Sequence, residues 1–572
     1  MAMDRAATLT SLDSELAILE QGLTTARRRR NLKTAVQQLP AEVLTMIFAE
    51  AQVAWLPRRQ YVSVSDAAPK VQYDFGWMYL LHVCSLWTEV IRNTPSLWCE
   101  VHCVGLHPRF MLRVLSLSNG LDLSLTIDAR PPITENNVIQ LIDTWLCGPV
   151  LHRTRRLNLL HFSQELLDTC LPYLDFPLPA LTDFTLDSLD EAETEWPDFL
   201  PTELFAGRCP RLSSIHVMNR ILPWNSPLLS HRMRHLKVGF GDVSELQNAM
   251  PTMFQFLDLL ESMPVLESLS LARIVPISML SMDDARQVIL PGTFKRLVVS
   301  IHVYVPHSLD LFRHLGIAAD VTVAVEVPDA DLLTRDDSIS LSADIEHIFL
   351  PPGNLDSGAY HELNLNGTLL SLCYHPRDIR SMWTRGLHPP YPSTTFQTHT
   401  FSRGRHVYLE HDESDDGAIM LVHLSHLPLQ AVRCCTFNAR FMRLQLHAVE
   451  WHVHFSVASE TRRISLAYSD GRRLFEALAD AREGHGGEHP GGLILFPKLE
   501  VIVLHASLPM GETEAAVIEG ADLAPLDIVL FELVRVRRSW QMQLKEILVS
   551  QALASRTDLW QRLESMVTVN FF

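Results

Sequence analysis

A short apolar element, written roughly Pro-x-Leu-x-x-Leu-x-Leu, recurs along the chain and constrains the fold more than any other feature. Its third apolar position falls at residues 157, 184, 212, 236, 269 and 297, in steps of 27, 28, 24, 33 and 28 residues. Alternation of apolar residues over so short a run predicts a strand with one buried face. A regular step of this length predicts stacked units that share one continuous core.

Eight segments carry this element: Arg155–Leu160, Pro179–Leu186, Pro210–Val217, Met233–Val238, Pro264–Leu271, Phe294–Val299, Ile345–Leu350 and Pro497–Leu504. Helices are predicted between some of them, at Ser163–Leu174, Leu246–Ser262 and Leu309–Leu315, and a further strand at Arg463–Tyr468. The spacing resembles that of leucine-rich repeats, which implies a curved α/β solenoid with parallel strands. A doubly wound α/β domain also alternates the two elements, but the recurring proline-initiated strand favours the solenoid.

Chain length and net charge limit the domain organisation and the kinds of partner that we expect. A chain of 572 residues is longer than a single hydrophobic core accommodates. We therefore expect either a stacked array of repeats or several domains. Binding to the phosphate backbone of a nucleic acid depends on concentrated positive charge. The formal net charge of −18 argues against such binding, so no nucleic-acid partner is expected. The same charge favours a basic or neutral protein surface as the partner of the solenoid.

Cysteine usage and hydropathy predict an intracellular protein, in the cytoplasm, the nucleus or both. The nine cysteines are odd in number and form no Cys-x-x-Cys pairs, as expected of reduced core thiols. No apolar run is long enough to cross a bilayer, and residues 1–21 lack the layout of a signal peptide, so no membrane association is expected.

An N-terminal helix is predicted over residues 8–30. Its leucines recur at alternating steps of three and four residues, at Leu9, Leu12, Leu16, Leu19 and Leu23, which is the seam of a heptad pattern. Such a short seam fits either a helix folded onto the next domain or a self-associating coiled coil. The run Arg27–Arg30 suits the negative end of the helix dipole and also matches a nuclear localisation signal.

The segment from Leu39 to Trp98 predicts a small helical module. One helix begins near Pro40, where a missing N–H group costs nothing, and continues through Phe48. After a loop predicted over Leu56–Phe75, a second helix runs from about Trp77 to Asn93, before Pro95. Its apolar stripe is too wide for so small a module to cover, so the following domain or another protein must pack against it.

Three linked motifs in this segment resemble the F-box domain. They are Leu-Pro-x-Glu-x-Leu-x-x-Ile-Phe at 39–48, Val-Cys-x-x-Trp at 83–87 and Pro-Ser-Leu-Trp at 95–98. With the preceding heptad segment and its arginine run, they are similar to the F-box-like proteins that are abundant in mushroom-forming fungi.

The resemblance implies a Skp-type adaptor as partner and, through it, a cullin scaffold. Residues at the motif positions are the predicted adaptor contacts: Leu39, Pro40, Glu42, Leu44, Ile47, Phe48, Val83, Trp87, Leu97 and Trp98. For Leu44, Ile47 and Trp87, a role in the module's own core is an equal alternative, whereas Leu39 and Pro40 favour contact.

Four segments are expected: an N-terminal helix over 1–36, the F-box-like module over 37–105, the solenoid over 106–508 and a helical cap over 509–572. In the cap, helices are predicted at Ala524–Ser550 and Asp558–Val567. The expected function is substrate recognition in a cullin-type ubiquitin ligase, with an unidentified target protein on the concave solenoid face. The alternative is a scaffold that binds the adaptor without directing ubiquitylation.

No catalytic motif is found. The chain contains no Gly-x-Ser-x-Gly elbow, Walker loop or His-Glu-x-x-His, so an enzyme is not expected, nor a cofactor or metal. The pairs His485 and His489 with Glu483 and Glu488 lie in a glycine-rich run that would hold a metal poorly. His452 and His454 share one face of any strand, but such pairs arise by chance among 26 histidines.

Overall fold

The computed structural model describes most of the chain. It leaves out residues 1, 32, 63–69, 131–134, 190–198, 241–249, 278–285, 302–303, 305–307, 329, 331–332, 351–359, 366–368, 375–402, 410–417, 443, 483–491 and 507–523. The chain forms two compact units, Met1–Ser230 and His231–Phe572. The boundary between them falls inside the region predicted as one solenoid.

The first unit begins with helices and one hairpin. Its helices are α1 (Ala2–Asn31), α2 (Ala41–Ala54), α3 (Ser85–Arg92), α4 (Met111–Leu117), α5 (Glu135–Trp145), α6 (Gly148–Leu151) and α7 (Gln164–Cys170). Short 3₁₀ turns lie at Ala35–Gln38, Gly76–His82, Pro95–Trp98 and Leu171–Leu174, among others.

Two predictions for the helical module were wrong in detail. The loop expected over Leu56–Phe75 contains an antiparallel hairpin of β1 (Arg58–Val62) and β2 (Lys70–Asp74). The second predicted helix is a 3₁₀ turn over Gly76–His82 followed by α3, because Cys84 adopts an extended conformation between the two. The Thr88 hydroxyl donates to the carbonyl groups of Leu81 and Cys84 and ties the two pieces together.

Five parallel strands form the sheet of the first unit. They are β3 (Glu100–His102), β4 (Leu123–Asp128), β5 (Thr154–Phe162), β6 (Asp183–Ser188) and β7 (Ser214–Met218). Each pairs in parallel with the next along the chain. The chain between β5 and β6 carries α7, as predicted from Ser163–Leu174, and α7 is capped by the Ser163 hydroxyl.

The register of these strands places the apolar positions of the repeat in rows. One buried row runs through Val101, Leu125, Leu157, Phe184 and Ile215. The repeat thus begins at β3, upstream of the first predicted instance. The anchor predicted at Leu212 was wrong, because Leu212 lies in the turn before β7 and Ile215 takes its place in the row.

The described residues of the second unit form sixteen strands. They are β8 (His235–Gly239), β9 (Ser268–Ala272), β10 (Val288–Ile289), β11 (Arg296–Ser300), β12 (Leu315–Gly316), β13 (Thr322–Val327), β14 (Glu362–Leu365), β15 (Leu369–Cys373), β16 (Gly404–Leu409), β17 (Cys434–Phe437), β18 (Arg463–Ala467), β19 (Ala481–Arg482), β20 (Gly492–Leu493), β21 (Val501–His505), β22 (Glu546–Val549) and β23 (Thr568–Phe571).

Its helices follow the same chain order. They are α8 (Met253–Glu261), α9 (Leu311–His314), α10 (Arg335–Phe349), α11 (Ala418–Leu424), α12 (Ala439–Met442), α13 (Ala448–Phe455), α14 (Arg472–Ala479), α15 (Ala524–Ser539) and α16 (Thr557–Glu564). Of the predicted helices, α8 and α9 lie within Leu246–Ser262 and Leu309–Leu315.

The main sheet of the second unit is parallel except at one strand. β8, β9, β11, β13 and β16 pair in parallel in that order, and β14, β17, β18, β21, β22 and β23 do the same. β15 lies between β16 and β14 and is antiparallel to both. The chain therefore has a mixed α/β fold with a large, mostly parallel sheet, and this coarse part of the predicted fold class is confirmed.

Two further predictions for the second unit were wrong. Ile345–Leu350 is not a strand but the end of α10, because Ile345, Ile348 and Phe349 have helical spacing and are all buried. The helix predicted over Ala524–Ser550 ends at Ser539, and β22 follows. The C-terminal segment thus contributes β22 and β23 to the sheet as well as helices. Among the described residues, no helix combines the length and apolarity needed to cross a membrane.

Candidate adaptor-binding surface

Helix α2 is the central element of the helical module. Pro40 is its N-cap residue, one position before the predicted first turn, and the carbonyl of Pro40 accepts from the Leu44 N–H at 3.1 Å. Glu42 lies in the first turn, where a carboxylate complements the positive end of the helix dipole. The helix ends at Ala54, because Trp55 leaves helical geometry.

One face of α2 forms the core of the module. Leu44 and Phe48 are buried, and the Phe48 ring packs edge-on against Trp87 with centroids 5.2 Å apart. Gln52 continues this face and donates through Nε2 to the Leu97 carbonyl at 3.1 Å and to the Glu100 carbonyl at 3.3 Å. These bonds join α2 to the start of the sheet.

The 3₁₀ turn Pro95–Trp98 packs beneath α2 and α3. Leu97 and Trp98 are buried, and the Trp98 indole N–H donates to the Ile91 carbonyl at 2.9 Å. The Trp98 ring also lies 5.3 Å from that of Trp77. Because a buried indole needs a hydrogen-bond acceptor, this tryptophan is held in one orientation.

The ten predicted contact residues therefore divide into two groups. Leu44, Phe48, Leu97 and Trp98 lie in the interior of the module in this conformation, and for Leu44 this is the core role that the sequence left open. The others retain accessible surface: Leu39 and Trp87 are half-buried, and Pro40, Glu42, Ile47 and Val83 are exposed.

The face of α2 opposite Leu44 and Phe48 carries several apolar side chains around the exposed Glu50. This outer face of α2 comprises Val43, Met46, Ile47 and Val53, all exposed, with Met46 at 69% and Val53 at 75%. Of the four, the family motif pointed only to Ile47. The missed signal was helical spacing, since these residues recur on one side of α2 while the buried stripe occupies the other.

A second exposed apolar corner lies near the start of α2. The Gln37 amide donates to the Cys84 sulfur at 2.9 Å, which holds the turn before α2 against the turn before α3. Val36 and Val83, the neighbours of this bonded pair in the chain, are both exposed. The predicted contacts Leu39 and Pro40 follow directly after the first of these turns.

The sheet of the first unit provides a separate, polar surface. On the side opposite the buried rows, one row consists of His102, Thr126, Asn158, Thr185 and His216, all half-buried. We call this the open row. A flanking row, Asp128, Leu160, Asp187 and Met218, is half-buried as well.

Charged groups border the open row. Asp128 pairs with Arg130 at 2.9 Å and with the His161 ring at 3.0 Å. Burial lowers the pKa of His102, and the carboxylates of Glu100 and Asp128 oppose that shift. The surface thus presents both signs of charge together with hydroxyl and amide groups, which suits a polar protein segment.

The described residues contain no cluster of three or more potential metal ligands. His485, His489, Glu483 and Glu488 lie outside the described residues, as does nearly all of their glycine-rich run. His452 and His454 lie on α13 and not on a strand, so their spacing places them on different sides of the helix. None of the nine cysteines forms a disulfide, and burial raises the pKa of the Cys170 and Cys435 thiols to about 12.

No protein-family model matches the chain, and no curated protein is significantly similar to it. The resemblance to the F-box domain therefore depends on the three motifs alone and stays a prediction.

Proposed function

We propose that this protein is a substrate-recognition subunit of a cullin-type ubiquitin ligase. Its F-box-like module binds a Skp-type adaptor, and its sheet binds the target protein. One observation carries the proposal: α2 has apolar side chains on two sides, one of which holds the module together while the other, around Glu50, is exposed. In a small module, a second apolar side has no structural role of its own, so a partner is the reason for it.

The adaptor contact consists of the outer face of α2 together with Leu39, Pro40 and Val83. Burying large apolar side chains such as Met46 and Ile47 contributes about 1.5–3 kcal/mol each. The half-buried Trp87 packs against Phe48 on the buried face of α2. The outer face of α2 thus combines the flexible side chain of Met46 with the β-branched side chains of Val43, Ile47 and Val53. Such a combination is suited to binding a hydrophobic groove.

The target protein binds the open row and its flanking charges. Polar side chains on a rigid parallel sheet keep fixed spacings, so they can select a partner by hydrogen bonds and charge. The net charge of −18 favours a basic or neutral target.

Adaptor binding by the full chain tests the first half of the proposal. The variant Met46→Asp with Ile47→Asp places two carboxylates on the outer face of α2, and we expect it to weaken binding to a purified Skp-type adaptor at least about hundredfold. The control is Leu112→Asp, which places one carboxylate on a 72% exposed leucine of α4. We expect the control to bind as the unchanged chain does, in isothermal titration calorimetry.

Equal adaptor binding by both variants, or no binding by the unchanged chain, contradicts the proposed contact. Substitutions at Leu44 do not test it, because Leu44→Ala creates a cavity in the module and changes folding and binding together.

The scaffold alternative makes the same adaptor contact but has a different outcome. Co-purification of a cullin with the adaptor complex, followed by ubiquitin transfer to a captured protein, supports the ligase function. Adaptor binding with no cullin supports the scaffold.

A further inference from the structure

Helix α1 carries an apolar seam that the rest of the described chain leaves uncovered. The five leucines of the seam, Leu9, Leu12, Leu16, Leu19 and Leu23, are between 49% and 69% exposed. Neighbouring positions on the helix are exposed too, so one of the two alternatives left open by the sequence, a helix folded onto the next domain, is not observed. A helix of 30 residues extends about 45 Å.

The pattern of the seam identifies what fits it. From Leu9 to Leu23 the leucines occupy only the a and d positions of successive heptads. A strict repeat of 3.5 residues keeps a narrow seam facing another helix that supercoils with it, whereas packing on a globular surface uses a broader stripe. Since a and d leucines interdigitate with a and d leucines, a second copy of the same helix is complementary to it.

Charge along α1 distinguishes the two possible orientations of such a pair. The acidic residues beside the seam, Asp13, Glu15 and Glu20, lie in its first two thirds, and Arg27–Arg30 form its end. A parallel pair places Glu15 at g opposite Glu20 at e of the second copy, and arginines opposite arginines. An antiparallel pair with the two leucine seams in register places Arg27–Arg30 beside the first residues of the other helix, away from its arginines, and aligns the helix dipoles favourably.

We propose that α1 pairs with α1 of a second copy of this chain as an antiparallel two-stranded coiled coil. The pairing extends the proposed function, because it places two helical modules at opposite ends of the paired helices. The outer face of α2 takes no part in it, and each module keeps its own adaptor surface.

Sedimentation of the full chain over nanomolar to high micromolar concentrations tests the pairing. We expect a reversible dimer, and we expect Leu16→Glu with Leu19→Glu to raise its dissociation constant at least about hundredfold, since both charges enter the seam. The matched control is Ile18→Glu, because Ile18 is 66% exposed on the same helix but lies outside the seam. It changes the dissociation constant less than about threefold, and glutamate keeps the helix intact in both variants.

A chain that stays monomeric at every concentration, or a dimer that survives the seam variant, overturns the proposal. Salt tests the orientation: high salt changes the dissociation constant of an antiparallel pair less than about threefold, because the two arginine runs lie at opposite ends and do not repel each other. Stronger association at high salt indicates parallel helices and overturns the proposed orientation. Adaptor binding is measured separately and does not depend on the seam, so failure of one proposal is distinguishable from failure of the other.

Discussion

The two units build their sheets from similar strands but expose different faces. In β6 and β7, buried and half-buried residues alternate, so one face of the sheet is accessible. In β13 and β16, every residue is buried. Val298 follows the repeat position Leu297 in β11, as the open-row residue Asn158 follows Leu157 in β5. On this equivalent face of the second unit, Val298, Ala324 and Tyr408 form a buried apolar cluster. A repeat of one strand pattern therefore does not fix whether a sheet face is available to a partner.

This difference changes where a target protein is expected to bind. The sequence predicted one concave face along the whole repeat region. In the structure, the first unit has the accessible polar face, whereas the central strands of the second unit are buried on both sides, as in parallel sheets with two covered faces.

A buried charge gives the largest expected contrast between the two sheets. Ala324→Asp places a carboxylate between β11 and β16, and we expect a loss of more than about 4 kcal/mol or a failure to fold. Thr185→Asp on the open row leaves the carboxylate in contact with water and costs less than about 1 kcal/mol. Hydrogen exchange with mass spectrometry measures both sheets in one sample. Equal costs for the two changes would show that the open row is covered.

Two neighbouring leucines of β5 allow the buried and the accessible face of the first sheet to be compared within one strand. Leu159 is fully buried and Leu160 is half-buried on the opposite face. We expect Leu159→Ala to cost about 3 kcal/mol, because it leaves a cavity, and Leu160→Ala to cost less than about 1 kcal/mol. Urea unfolding of both variants measures this, and a reversed order would contradict the register of β5.

Acid is expected to weaken the second unit through His423. Burial lowers the pKa of His423 to about 4, and its ring lies 2.8 Å from the Ser342 hydroxyl. That hydroxyl donates to the Ser338 carbonyl, and no acceptor for the second ring nitrogen of His423 exists among the described residues. The unfolded chain thus binds the proton first, and stability falls as pH drops from about 6.5 towards 4, by at most about 3 kcal/mol.

Urea unfolding at several pH values tests this titration. The His423→Phe variant should lose stability less steeply than the unchanged chain between about pH 6.5 and pH 4, because phenylalanine binds no proton. Parallel pH profiles for the two chains would exclude His423 as the cause.

Local pattern determined which strands could be predicted. The strands β5, β6, β9, β11 and β21 carry leucine, valine, isoleucine or phenylalanine at the positions of the repeat, and all five overlap predicted segments. The strand predicted at Ile345–Leu350 was wrong because the apolar residues of this segment also fit helical spacing. The segment belongs to α10, which begins with a capping box formed by Thr334 and Asp337. The β1–β2 hairpin has polar strands beside turn-forming residues, so periodicity gave no signal for it.

The candidate surface was predicted only in part, for a related reason. The family motif marks positions without separating those that build the module from those that face outward. Leu44 and Phe48 belong to the first kind, and Ile47 to the second. Met46 and Val53 lie outside the motif, so only the two-sided apolarity of α2 identifies them. Burial depends on tertiary packing, which the sequence does not state.

The hydrogen bonds from Gln52 to the Leu97 and Glu100 carbonyls bear on how the chain can be divided for experiments. They join α2 to the first strand of the sheet, and β3 pairs directly with β4. A fragment beginning after residue 105 leaves one side of β4 with N–H and C=O groups that have lost their partner strand. Unpaired strand edges are sites of aggregation, so such a fragment should precipitate.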